Sequence, residues 1–420
     1  MDPFVVLITV LVLLALLLGT GVWVGLSLFA VAITSLALFR SMPVDKLLAQ
    51  LTYNTVTTPE MIALPMFILM AEILFHTRLS ASLFRGLSPW TNRLPGKMVH
   101  VNVLGCTLFA AISGSSAATA TTVGRITLSE LFSRGYNKDL VIGSLAGAGT
   151  LGFLIPPSII LIIYGVLSET SILKLFIAGI VPGLILALGF MGYLAIRATL
   201  NPSLIPSEDI NPTWRDRLNG LVDLGPVVFL ILLVLGSMYA GFASPSEAAA
   251  VGVLGAVLVS AAQKTLSWKT IRKACLSAVR TTSMIALIVA GAVFLSVAMG
   301  FLGVPRLIAG EIAALGLSPL VLDGLSAIVM TLPITLPLII SAGFEKIWFG
   351  VFVVIVVEMA QITPPVGFNL FVIQGLTGET IGRVARAALP FFIIMFIMAM
   401  FIALVPDIVM FLPNTIKLKG

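Results

Sequence analysis

A chain of 420 residues that is 59% hydrophobic and only 10% charged is not a soluble domain, which carries roughly 25% charged residues; lipid surrounds most of its surface. The formal charge of +6 sits in loops, as in membrane proteins with basic cytoplasmic loops, and nucleic-acid binding is a poor account of it. Cys106 and Cys275, both within apolar segments, supply neither a disulfide framework nor a metal cluster.

A helix crosses ~30 Å of hydrocarbon in about 20 residues. In chain order the predicted spans are Phe4–Leu18, Val22–Phe39, Met61–Phe75, Leu140–Leu167, Ile172–Ala195, Leu221–Ala240, Ala248–Ala262, Met284–Phe301, Ile347–Ile373 and Leu389–Leu412. Gly19–Gly21 reads either as a turn or as a weak point in one long helix. Other spans follow the first run, and no small-residue cleavage site is obvious, so it reads as a retained helix and not a signal peptide. The predicted fold is an all-α polytopic membrane protein.

Between these spans lie three irregular places. Met98–Ile112 runs inward from a basic stretch, and Ala117–Leu131 returns to the charged segment Arg134–Asp139. Both ends face the same side, which predicts a re-entrant hairpin over about 98–131 with its tip at Ser113–Ser116. In Gly152–Ser158 and again in Ala360–Asn369, a Pro-Pro pair interrupts an apolar run, at Pro156-Pro157 and Pro364-Pro365. Each pair removes two amide donors and clashes with the preceding turn, so helices 140–167 and 347–373 must unwind there. Irregular backbone at membrane depth persists only where protein or a water-filled cavity satisfies it. Freed carbonyls suit a hard cation and helix N-termini suit an anion. The bland reading, a kink or a helix-helix glue, suits one such motif better than two related breaks facing one Gly/Ser tip.

The breaks are related because the chain repeats. Thr57–Leu64 echoes Thr281–Leu287, Gly86–Pro89 echoes Gly316–Pro319, Gly135–Lys138 echoes Gly343–Lys346, and the Pro-Pro pairs follow at the same distance from Gly135 and Gly343. His76–Lys97 carries Arg78, Arg85, Arg93 and Lys97 without an acid, whereas its counterpart Gly303–Pro319 carries only Arg306 and Glu311. Gln263–Arg280 carries Lys264, Lys269, Arg272, Lys273 and Arg280, against a near-neutral Asp45–Glu60. Basic loops stay cytoplasmic, so equivalent loops lie on opposite faces. The reading is two inverted repeats, 1–198 and 220–420, joined by a cytoplasmic linker over 199–219, with the N-terminus periplasmic. Internal repetition around midplane sites is the usual architecture of secondary transporters.

Glu72, Glu247 and Glu358 lie in apolar segments, where each reads as an ion or proton site or as a partner for a neighbouring helix. An intramembrane enzyme competes weakly. Gly114–Ala118 distantly resembles a serine-nucleophile turn, but the two histidines, His76 and His100, both sit near the interface. A channel predicts an ungated polar stripe, whereas here the polar atoms gather at discrete breaks.

Ile112–Ala118, Gly152–Ser158, Tyr239–Phe242 with Pro245–Ala249, and Thr363–Leu370 closely resemble the large membrane subunit of tripartite ATP-independent periplasmic (TRAP) transporters, and the likeness runs along nearly the whole chain. The resemblance implies an elevator-type, Na+-driven importer of organic acids in the bacterial inner membrane. It also implies a small four-helix membrane subunit, supplied by a separate polypeptide, and a periplasmic substrate-binding protein. A stand-alone ion-coupled carboxylate carrier of the same superfamily is the alternative. Carried onto this chain, one Na+ site comprises Ala110, Ser113, Gly152, Ile155 and Pro157, and a second comprises Ala360, Thr363 and Val366. Ala360 stands where the family commonly has Gly, a change that leaves a carbonyl ligand intact. The substrate carboxylate falls near Ser115, Ser116 and Asn369, a placement argued from helix-dipole geometry.

One departure is large. From Pro319 to Pro364 there are 22 fewer residues than from Pro89 to Pro156, and the shortfall falls just after Pro319. The second hairpin, about 320–342, is therefore expected to lack its ingoing arm, with a break in the chain path within Pro319–Gly324.

Overall fold

The computed structural model describes residues 3–206, 212–304, 343–364 and 367–415, together with Leu336, Ile339 and Ile340. The regular structure among them is helical. In order the helices are α1 (Pro3–Gly19), α2 (Val24–Phe39), α3 (Val44–Val56), α4 (Pro59–Phe75), α5 (Leu79–Thr91), α6 (His100–Ser113), α7 (Ser116–Ser133), α8 (Lys138–Thr150), α9 (Ile159–Ser168) and α10 (Ile172–Leu200). After these come α11 (Trp214–Tyr239), α12 (Pro245–Ala262), α13 (Trp268–Leu302), α14 (Lys346–Gln361), α15 (Phe368–Thr377), α16 (Ile381–Leu404) and α17 (Asp407–Thr415). Five of them, α10–α13 and α16, are long and apolar enough to cross a membrane unbroken.

Two bodies follow from the packing. In the first, α2 lies along α13 and α4 along α12, the same pairing made twice with the roles of the halves exchanged, and α5 lies along α11. Glycines set these close approaches: a Cβ on Gly25 would meet Leu287 Cγ at 2.8 Å, and one on Gly291 would meet the Gly25 carbonyl oxygen at 2.9 Å. The second body gathers α6–α10 and α14–α17, with α8 against α16 and α7 against α15. The bodies meet where α4 touches α6 and α9, where α13 touches α9, and where α5 and α11 underlie α6. Among the described residues no side-chain hydrogen bond or ion pair crosses this seam. Ring contacts across it include Phe67 edge-on to Phe176, with ring centroids 6.2 Å apart, and the Arg125 guanidinium 5.1 Å from the Phe75 ring centroid.

The two broken helices run antiparallel within the second body. At the start of α8, Lys138 pairs with Glu379 (3.2 Å) and Asp139 with Arg383 (2.7 Å), both just beyond the end of α15. The Lys138 ammonium, by its hydrogen bond, is the first cause holding the Glu379 carboxyl below its usual range. At the opposite end of α9, Lys346 Nζ donates to the Ser168 carbonyl (3.0 Å) and Tyr164 Oη to the Lys346 carbonyl (2.6 Å). An inverted relation between the halves is what these end-to-end contacts require.

Several boundaries differ from the sequence reading. The basic stretch 76–97 is not a plain loop but holds amphipathic α5, whose Leu79, Leu83, Phe84 and Leu87 are buried. Helices α10 and α11 reach into the expected linker from both ends. The span expected at Leu389–Leu412 divides into α16 and α17 around Val405-Pro406, since proline cannot continue the hydrogen-bond ladder. Gly19–Gly21 is a turn, with Gly21 at φ +81°. The α3–α4 pair bends by 54° ahead of Pro59, whereas in the other half Ser283 replaces that proline and α13 continues unbroken for 35 residues. The expected second hairpin, apart from the three residues named above, and the expected break after Pro319 lie outside the described residues.

Candidate functional site

The first hairpin forms as its residues dictate. Gly114 closes α6 in the left-handed conformation (φ +61°), which glycine alone adopts without penalty, and its N–H donates to the Ala110 carbonyl at 3.1 Å. Ser115 then caps α7, its Oγ accepting from the Ala118 N–H at 3.5 Å. Thr119 Oγ1 donates to the Ser115 carbonyl (2.8 Å), so in its 2.8 Å contact with Ser113 the Ser113 hydroxyl is the donor. The Ser113 oxygen, which also accepts from the Ser115 N–H at 3.4 Å, keeps a lone pair for an electropositive guest. Thr119, fully buried, escaped the sequence reading because nothing in the Gly/Ser motif marks a residue at the end of the first turn of α7.

The tip rests directly on the first break. The Ile159 N–H, first of α9, donates to the Gly114 carbonyl at 3.2 Å. A Cβ on Gly152 would lie 2.7 Å from the Ser115 carbonyl carbon and oxygen and 2.9 Å from the Ser116 nitrogen, so only glycine permits the approach. Three carbonyls lose their helical donors here. Pro156 offers no N–H to Gly152, the Ile159 N–H serves Gly114 instead of Ile155, and the Leu161 N–H serves Ser158 Oγ (3.2 Å) instead of Pro157. Gly152 thus lies against Ser115 and Ser116 and the Pro157 carbonyl against Gly114, and carbonyl oxygens left to spare are the chemistry of a hard cation. The Ala110 carbonyl is engaged by Gly114.

At the second break, Pro364 likewise leaves the Ala360 carbonyl without its helical donor, though the Thr363 N–H reaches it at 3.3 Å. Thr363 Oγ1 donates to the Met359 carbonyl (2.7 Å), and its own carbonyl accepts from Gly367 (2.9 Å). Val366 lies outside the described residues. Asn369, fully buried near the start of α15, donates from Nδ2 to Ser116 Oγ at 2.7 Å, while its Oδ1 has no partner among the described residues. Ser115, Ser116 and Asn369 therefore do meet, where α7, α9 and α15 all begin.

The three intramembrane acids separate. Glu72 accepts from Ser277 Oγ (2.7 Å) and joins α4 to α13, and Glu247 closes a capping box with Ser244 at the start of α12. Glu358 is 0% exposed, its carboxyl enclosed with no side-chain partner among the described residues and the Leu154 backbone beside it.

A hairpin tip seated on one of two antiparallel Pro-Pro breaks is a transporter's architecture, and the comparisons name the kind. The profile "Tripartite ATP-independent periplasmic transporter, DctM component" matches residues 11–408. The chain belongs to the DctM component family of TRAP transporters. The C4-dicarboxylate TRAP transporter large permease protein DctM of Pseudomonas aeruginosa is 33% identical over 374 aligned residues, covering 84% of this chain and 86% of that one. The sialic acid TRAP transporter permease protein SiaT of Haemophilus influenzae is 28% identical, over 94% of this chain and 66% of the relative. Among solved structures, the Alcanivorax borkumensis YdaH transporter shares the fold, with TM-score 0.61 at 14% identity over 91% of this chain and 97% of that one. This DctM-family chain is accordingly a multi-pass membrane permease and not an enzyme. Membership in a tripartite family makes it one component among membrane and periplasmic partners.

Proposed function

We propose that this chain is the transport subunit of a Na+-driven importer of an organic acid, receiving its cargo from a periplasmic binding protein and working beside a small four-helix membrane subunit. The observation that carries the reading is the docking of the Ser113–Ser116 tip on the first break, which sets Gly152 against Ser115 and Ser116 and the Pro157 carbonyl against Gly114. Ser113 and the carbonyls of Gly152, Ile155 and Pro157 would hold one Na+, and Ala360, Thr363 and Val366 a second. A carboxylate suits the neighbouring ground of Ser115, Ser116 and Asn369, where helix N-termini favour an anion. The relatives named for C4-dicarboxylates and sialic acid both point to carboxylates as the substrate class. The seam supports elevator movement, because a body with no side-chain hydrogen bond or ion pair across it among the described residues can slide without leaving polar pairs broken. Uptake in proteoliposomes containing the partner proteins, screened over carboxylates with and without a Na+ gradient, tests the whole reading. Uptake indifferent to Na+ would remove the coupling ion.

Ser113→Ala, Thr119→Val and Thr363→Ala are each expected to raise the Na+ concentration for half-maximal uptake several-fold, about 1 kcal/mol for one lost oxygen contact. Thr119→Val acts by releasing the Ser113 hydroxyl from its present orientation. Unchanged Na+ dependence in all three would dismiss these residues from the cation sites.

The orientation is testable separately. In a Cys275→Ser background, which leaves only buried Cys106, Ser41→Cys and Ser267→Cys are expected to react with an impermeant thiol reagent from opposite sides, Ser41→Cys from the periplasm. Reaction from one side alone would refute the topology.

A further inference from the structure

Helix α13 carries a feature that neither its fold nor the transport site requires. At 1.5 Å per residue its 35 residues extend about 52 Å, well beyond a ~30 Å hydrocarbon core. The excess lies at its N-terminal end, beside the basic turn Gln263–Ser267. On the helical wheel, Lys269, Arg272, Lys273 and Arg280 share an arc of about 140° with Trp268, Leu276 and Val279. That arc is solvent- or lipid-facing: Trp268 is 79% exposed, Leu276 49% and Val279 62%, while Ala274 and Ala278 on the opposite side are buried. None of the four cations meets an acid among the described residues. The other half supplies an internal control. Its equivalent helix bends away by 54° before Pro59, and α3 there carries one acid and one base, Asp45 and Lys46.

We propose that this face of α13 binds the headgroups of anionic phospholipids in the leaflet it meets. The chemistry matches on three counts. Uncompensated ammonium and guanidinium groups recognise phosphate. An exposed tryptophan among aliphatic side chains suits the headgroup-to-acyl boundary. The stretch also runs straight into the membrane-crossing part of the same helix, which holds it at the bilayer surface. Since α13 packs against α2, α3 and α4, lipid bound there grips the first body and leaves the second free to move. The inference is independent of the coupling ion and of the substrate.

The test uses the full chain purified in mild detergent and offered phosphatidylglycerol or phosphatidylcholine, with retained lipid counted by native mass spectrometry. The parent is expected to prefer phosphatidylglycerol by about tenfold, and the preference should shrink as salt rises. In Lys269→Gln/Arg272→Gln/Lys273→Gln/Arg280→Gln the preference should vanish. In Lys269→Arg/Lys273→Arg, which keeps the charge, it should persist and show that the helix tolerates substitution. Equal preference in the parent and the glutamine variant would overturn the proposal. So would a glutamine variant that keeps its lipid preference but no longer co-purifies with a membrane partner, since the face would then be a protein interface.

Discussion

Gly152→Val is expected to lower Na+-dependent uptake by about a hundredfold or more, with the chain still inserted in the membrane, because a displacement of about 1 Å at a reacting site has that effect. The added carbons would enter the space held by the backbone of Ser115 and Ser116, whose nearest atoms lie only 2.7–2.9 Å from the first of them. Backbone cannot yield as a flexible side chain does, so the tip must lift from the break, at a cost of about 1–3 kcal/mol. Lifting it loosens the bond from Ile159 to Gly114 and would draw Ser113 away from the other proposed cation ligands. Gly152→Ala should fall between the two. Gly192→Val on α10 serves as the control, since a Cβ there meets nothing within 4 Å. Initial rates in proteoliposomes decide the matter, and a Gly152→Val chain that transports at the parent rate would remove tip docking from the mechanism.

The second large effect concerns the seam. In a chain with Cys106→Ala and Cys275→Ser, linking Phe67→Cys to Phe176→Cys with a short bifunctional thiol reagent is expected to reduce uptake to background, and cleavage of the link to restore it. Phe67 belongs to the first body and Phe176 to the second, and their rings are now in edge-on contact. The matching control joins Phe190→Cys to Phe391→Cys, whose parent rings are 5.4 Å apart within the second body, and it should transport as before. Full uptake through quantitatively linked Phe67→Cys/Phe176→Cys chains would mean that the bodies do not slide past each other.

Much of this was legible before any coordinates. Apolar length marked most of the spans, Gly114 between serines marked the hairpin tip, and paired prolines marked both breaks, because each acts through local backbone chemistry. The sequence reading failed where the signal was mixed. The first third of α13 and all of α5 are helices whose charges dilute their apolar faces, so hydropathy read them as loops. Thr119 was invisible because its role exists only through a partner across the tip. Dipole geometry placed a substrate carboxylate near Ser115, Ser116 and Asn369 but gave no sign of the hydrogen bond from Asn369 to Ser116, which only the packing reveals. Glu72, Glu247 and Glu358 look alike in the sequence; only packing shows that the first two have hydroxyl partners and that Glu358 is enclosed.

The smooth seam has a thermodynamic meaning for a carrier. Specific polar pairs across an interface would favour whichever arrangement satisfied them, and each would have to be overcome on every cycle. A seam without such pairs stores little preference, so the two arrangements of the proposed elevator would be poised close in free energy. A tenfold shift between such states needs only about 1.4 kcal/mol of differential affinity. In the elevator proposed here, cargo occupancy, and not the protein's own resting bias, would then decide which side of the membrane the site faces.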